Sequence, residues 1–269
     1  MQRHLAEHGD DDVRERIAST LYHSRLITAG RANELLAPSA PAPPLLNGKN
    51  RSVYDELTHG VTQYTAALEY HDQSGALNEH ISDVMGMMVK QYSLGITALQ
   101  SDWLIGAGLL GKNVRGIAIR SMKAPGTAYD DPLLGKDPQP AHMRGYVTGS
   151  DDDGGVHINS GIPNRAFYLA AVALGGFIWV VLGRIWYRVL TAKLSPTAQF
   201  NDFALATVAT AGELYGAGGQ VQTTIADAWS AVGLPVPPRL SKRTAVKPPR
   251  PANRPVRRLR GQWRERKAA

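Results

Sequence analysis

Eighteen consecutive residues, Ala166 to Gly183, carry no charge and are closed off by Arg165 and Arg184. Few features restrict a fold more. A stretch of that length lies at the lower limit for a bilayer-spanning helix, and flanking arginines suit such a span. The alternative is a helix buried inside a protein core. Phe177-Ile-Trp-Val-Val-Leu182 supplies the apolar side chains, and the adjacent Gly175 and Gly176 suit close helix packing. On these residues alone both readings stand.

The surrounding sequence supplies partner helices. Apolar residues recur at helical spacing over roughly 52–68, 75–93, 99–107, 159–183, 184–193, 199–215 and 219–232. Ser52 is a candidate N-cap, with Asp55 and Glu56 in the first turns. Gly, Pro and Asp punctuate 110–158, which reads as a loop-rich insertion. Upstream, Val13, Ile17, Leu21 and Leu26 mark a further helix-like segment. It is followed by the proline-rich linker Ala37-Pro-Ser-Ala-Pro-Ala-Pro-Pro44. The fold class is therefore mainly α.

Charge is unevenly spread. The formal net charge is +7, yet residues 235–269 hold twelve Lys/Arg against one acid, Glu265. The rest of the chain is net −4. Prolines at 235, 237, 238, 248, 249, 251 and 255 deny the tail a regular helix, and it has little to bury. It is expected to be disordered. The arginine-rich stretch from Arg254 to Lys267 gives it the means to contact a polyanion. There is no cysteine, which excludes disulfides and thiolate metal sites. The N-terminus lacks the apolar core of a signal peptide. The expectation is a chain that is cytoplasmic as synthesised, leaving the cell only by a non-classical route.

The chemistry-bearing residues begin at 53, where the chain reads Val-Tyr-Asp-Glu-Leu-Thr-His-Gly60. Zinc-peptidase helices place two histidines at i and i+4, with a glutamate beside the first as general base. Glu56 and His59 match that scheme, while Asp55 stands where the first histidine belongs. Three more segments follow: Ser74-Gly-Ala-Leu-Asn-Glu79, Arg120-Ser-Met-Lys-Ala-Pro-Gly-Thr-Ala-Tyr-Asp-Asp131, and Gly154-Gly-Val-His-Ile-Asn-Ser-Gly-Ile-Pro-Asn-Arg165. A lone Glu-x-x-His is weak evidence. Four segments in order and at matching spacing are specific. Together they resemble the C-terminal half of the thermolysin-like zinc metallopeptidases, in particular the protealysin-like branch. The resemblance runs from 53 to about 233, and residues 4–33 resemble that branch's short propeptide.

The resemblance implies a thermolysin-type C-terminal helical lobe over 52–233. Ahead of it stand a propeptide-like segment (1–36) and a linker (37–51); a basic tail (234–269) follows. It also favours a core helix over a membrane span for the run that ends at Gly183. By the same resemblance, position 55, His59 and Glu79 are the zinc ligands, and Glu56 is the base that activates the zinc-bound water. His157, oriented by Asp152, and Tyr70 stabilise the oxyanion. Arg120 holds the substrate carbonyl, and Asp83 supports the ligand at 55. The family's β-rich N-terminal lobe finds no counterpart between the linker and the motif helix.

An aspartate at 55 changes the expected chemistry. Its oxygens lie closer to the backbone than a histidine Nε2 by roughly an ångström or two, while zinc–ligand distances are fixed near about 2 Å. Zinc is therefore expected to be weak or lost, and calcium is not expected where Lys90 and Leu104 replace acidic partners beside Asp102. His80 and His71 are the only histidines near enough to substitute for the missing ligand. The implied function is a zinc metalloendopeptidase of reduced or lost activity, acting on peptide or protein substrates. Its alternatives are a pseudopeptidase that binds peptides or a partner peptidase, and a polyanion binder working through the tail. Self-association through an exposed lobe interface is a further expectation.

Overall fold

The structure, a computed structural model, describes residues 51–237, with side chains from Thr58 onward. The propeptide-like segment, the linker and all but the start of the tail lie outside the described residues. So do the side chains of Asp55 and Glu56, although helix α1 (Arg51–Tyr64) runs through both positions.

Helix α2 (Asp72–Leu94) is the axis of the fold. Asp72 in its first turn complements the helix dipole. At the other end Gly95 adopts a left-handed φ of 63°, and its N–H returns to the Tyr92 carbonyl. Every residue from Ser74 to Val84 is buried, so this helix is enclosed on all sides. It contacts α1, the short α3 (Asp152–Asn159), α4 (Gly161–Leu174), α5 (Leu182–Ala192) and α6 (Phe200–Tyr215). Helix α7 (Gln220–Ala231) closes the lobe against α4 and α6.

Large rings fill the space between helices. Trp103, Trp186, Trp229, Phe167, Phe200 and Phe203 are all fully buried. Trp186 and Trp229 lie parallel with centroids 6.5 Å apart, and Phe203 meets both edge-on. A buried indole N–H must find an acceptor. Trp229 donates to Thr207 Oγ1 at 2.9 Å, Trp103 to the Ala98 carbonyl at 2.9 Å, and Trp186 to His80 Nε2 at 2.8 Å.

Between α2 and α3 the chain is mostly irregular, held by two minimal antiparallel pairs. Strand β1 (Leu104–Ile105) pairs with β2 (Arg120–Ser121), and β3 (Asp130–Asp131) pairs with β4 (Gly135–Lys136). Two carboxylates organise the remainder. Asp131 accepts from the backbone N–H groups of Arg115, Leu133 and Leu134, and Asp137 from those of Gly126, Ala128 and Gln139. The N–H donors hold the Asp131 carboxyl below the usual carboxylate range.

The mainly helical class expected from periodicity is what the structure has, with two departures. Residues 99–107 are not a helix: Trp103 has a φ of 58°, and 104–105 pair with 120–121 instead. The run expected as one helix over 159–183 breaks after Leu174, where Gly175 and Gly176 both take left-handed φ (67° and 66°). The chain then turns before α5 begins. Among the described residues no helix is long and apolar enough to cross a membrane.

Candidate active site

Helix α2 turns one polar face toward an open cavity of about 640 Å³, lined by His59, Tyr70, Asn78, Glu79, Arg120 and His157. Glu79 is at its centre. Its carboxylate is almost completely buried, which requires that its oxygens be bonded or paired. Tyr70 Oη donates to Glu79 Oε1 at 2.5 Å. His59 Nε2 and His157 Nε2 stand 3.5 and 3.6 Å from the same oxygen, and the Arg120 guanidinium is 3.7 Å from Oε2.

Each side chain is held from behind. His59 Nδ1 donates to Asn78 Oδ1 at 2.8 Å, which turns Nε2 toward Glu79. Arg120 Nη2 donates to Asp83 Oδ1 at 3.1 Å, and Asn164 Nδ2 donates to Asp83 Oδ2 at 2.7 Å. Asn164 Oδ1 accepts from His80 Nδ1 at 2.8 Å, and His80 Nε2 accepts from Trp186. A continuous polar chain therefore runs from the aromatic core through His80, Asn164 and Asp83 to Arg120. Burial pushes the His80 imidazole down to about 4, so the ring is neutral, as its acceptor role toward Trp186 demands.

His157 arrives by an unusual route. Asp152, Asp153, Gly154 and Gly155 all have positive φ (53°, 49°, 85° and 77°), a left-handed run that costs energy at its two aspartates. Gly154 packs against Asp72, where a Cβ would lie 2.2 Å from Oδ1. The turn lets Asp152 reach over its own helix start: Oδ2 accepts the His157 N–H at 2.9 Å, and Oδ1 accepts from Nδ1 at 2.5 Å. His157 Nε2 is 3.1 Å from Tyr70 Oη. The single Tyr70 proton goes to Glu79, so Tyr70 Oη bridges the Glu79 carboxylate and the His157 ring. The Tyr70 hydroxyl itself is turned inward. Burial, reinforced by Glu79, pushes its ionisation well above that of a free tyrosine.

The expected residues thus sort into two groups. His59, Tyr70, Glu79, Arg120 and His157 converge on one cavity, with Asp83 behind Arg120 and Asp152 behind His157. Asp55 and Glu56 fall outside the described side chains. His71 pairs with Asp72 on the surface and His80 faces the core, so neither stands in for the ligand at 55. Asn78 and Asn164 went unnoticed in the sequence, because a buried amide and a surface amide look alike there. Both Asp83 oxygens accept hydrogen bonds, from Arg120 and Asn164. Near β1, the Lys90 ammonium binds Asp102 Oδ1 and the Leu104 carbonyl (3.1 Å).

Do these residues suit zinc? Tetrahedral donors at about 2.0–2.1 Å stand about 3.3 Å apart. The His59 Nε2 to Glu79 Oε1 separation of 3.5 Å matches, and the Asn78 bond presents the correct histidine tautomer. These two fit as part of a zinc ligand set. Among the described residues no group of three His, Asp or Glu forms a metal site, and the side chain at position 55 lies outside them.

Comparison with known proteins agrees with this geometry. The family model "Thermolysin metallopeptidase, alpha-helical domain" matches residues 66–234. An extracellular metalloprotease of Pectobacterium carotovorum is 55% identical over 185 residues, covering 68% of this chain and 53% of that protein. The extracellular minor metalloprotease of Serratia marcescens is 61% identical over 138 residues, covering 51% of this chain and 38% of that protein. Among solved structures, the precursor of protealysin, a metalloproteinase from Serratia proteamaculans, matches with a TM-score of 0.67. It is 54% identical, over 68% of this chain and 57% of that one. The chain spans about half the length of the curated relatives it matches. Relatives named as extracellular overturn the cytoplasmic location expected from the N-terminus. In its matched family model, its relatives and its fold alike, the chain belongs to the thermolysin-like metallopeptidase family.

Proposed function

We propose that this chain carries the helical half of a zinc endopeptidase whose peptide-binding chemistry is intact and whose hold on zinc is weakened by Asp55. The observation that carries the reading is the convergence of Tyr70, Arg120 and His157 on the Glu79 carboxylate at the floor of one open cavity. Three hydrogen-bond donors aimed at one point suit the oxyanion formed when water adds to a peptide carbonyl. His59 and Glu79, with position 55, would hold zinc, which when bound supplies a Lewis acid and a water of lowered pKa. Glu56 would take the proton of that water. Arg120, anchored on Asp83, would receive the substrate carbonyl. His157 and Tyr70 would donate to the oxygen as it gains charge, with Asp152 keeping the imidazole oriented.

Zinc titration by calorimetry on the natural chain and on Asp55→His tests this. A second-sphere partner alone is worth about 10–100-fold in affinity, so restoring a direct ligand should tighten binding by at least that much. Near-stoichiometric binding by the natural chain would overturn the weakened-site reading. Binding by neither protein would overturn the zinc peptidase reading itself. Tight binding by the variant without cleavage of a casein-type substrate would leave a pseudopeptidase that binds peptides.

A further inference from the structure

At the far end of α2, about 20 Å along the helix from Glu79, a second surface stands out. Tyr92, Leu94, Leu99, Phe177 and Val180 are each between 41% and 71% exposed. They form one patch. The Ala98 N–H donates to the Gly176 carbonyl at 2.9 Å, tying the turn after α2 to the connection between α4 and α5. Trp179 stacks on Phe177 with centroids 4.6 Å apart and meets Tyr92 edge-on at 5.2 Å. The left-handed Gly175–Gly176 pair throws this connection outward. From Gly176 to Lys193 the chain has three basic residues and no acid, and of the three Lys193 is paired with Glu213 at 2.6 Å. Arg184 and Arg188 are exposed one turn apart on α5, and neither forms an ion pair among the described residues.

We propose that this patch docks the protein onto an anionic phospholipid surface, with Phe177, Trp179 and Val180 entering the interface. The side chains match the layers of such a surface. Aromatic rings sit at headgroup depth, aliphatic Leu and Val lie below them, and arginines reach the phosphates. Apolar contact alone gives marginal attachment, and a polybasic element supplies the second signal. Arg184 and Arg188, exposed on α5 next to the patch, supply that charge. Other occupants fit less well. A second copy seated across a two-fold axis would bring two patches of the same positive sign together, with Arg184 and Arg188 on each. Nucleic acid would stack bases on ring faces, and here Phe177 and Trp179 each spend one face on the other.

The test uses the whole chain with Trp263→Phe, so that Trp179 is the one tryptophan not buried in the core. Vesicles of neutral phosphatidylcholine are compared with vesicles holding about 30% phosphatidylglycerol, each with and without brominated acyl chains. Quenching of Trp179 on the anionic vesicles is expected. Phe177→Ser combined with Val180→Ser should weaken partitioning by about tenfold or more. Both positions are exposed, so circular dichroism should stay unchanged. Undiminished binding by the double variant would overturn the proposal in favour of the basic tail alone. So would binding without quenching that vanishes in about half-molar salt. Loss of a dimer in light scattering, with no vesicle binding by either protein, would assign the patch to a second copy instead.

Discussion

His80 offers a quantitative test of the core described above. Its ring is enclosed, donates to Asn164 and accepts from Trp186. A second proton would abolish the acceptor role and place a charge among Phe167, Trp186 and Phe203. Burial lowers the folded value from 6.5 to about 4. The sign follows from which state binds more protons. Between those two values the unfolded chain holds a proton that the folded chain refuses, so stability rises with pH across that window. The contribution is fully present above about pH 6.5 and is lost as pH falls toward 4. Every tenfold drop in proton affinity on folding is worth about 1.4 kcal/mol, giving roughly 3 kcal/mol over the window. Replacing His80 by Gln removes the titration and strands two buried partners, at a cost of about 3 kcal/mol near neutrality. Urea unfolding of both proteins at steps from about pH 7.5 to 4 should show their stabilities converging as the pH drops. Parallel curves separated by a constant gap would refute the reasoning, because they would mean that the folded protein protonates His80 freely.

Two further outcomes follow from packing. Gly75→Ala would set a Cβ 2.4 Å from Val156 Cγ1 and 3.0 Å from the Tyr70 carbonyl carbon. It should cost about 1–3 kcal/mol, and chemical shifts of the His157 ring should move while those of α7 stay in place. Lys90→Ala removes an ammonium that is almost fully buried and ties α2 to β1. With Asp102 half exposed, the expected loss is about 1–2 kcal/mol in urea unfolding; a change below about half of that would show the tie to be incidental.

How much of this was legible beforehand depended on the range of the interaction. The four segments each carry their residues at short spacing, and His59, Glu79, Arg120 and His157, one from each, line one cavity. Helix existence was legible from apolar periodicity. Helix ends were less so. In the run up to Gly183, the glycine pair that breaks the helix was visible but was read as a packing feature, since the composition is equally apolar on both sides of it. Residues 99–107 failed for another reason. Their strand pairing is with Arg120 and Ser121, and no local pattern announces a partner that far along the chain. Asn78, Asn164 and the neutral state of His80 depend on burial, which the sequence does not print.

The polar face of α2 bears on how such a site ages. Glu79, Asp83 and Asn78 are buried and bonded on the helix that forms the axis of the core. Replacing any of them strands a partner inside the protein, so selection for mere solubility suffices to keep them. Tyr70 and His157 are each nearly half exposed and have no such protection. In a lineage that has stopped cutting peptides, drift should erase those two first. Loss of Tyr70 or His157 would accordingly be the earliest mark of such a change.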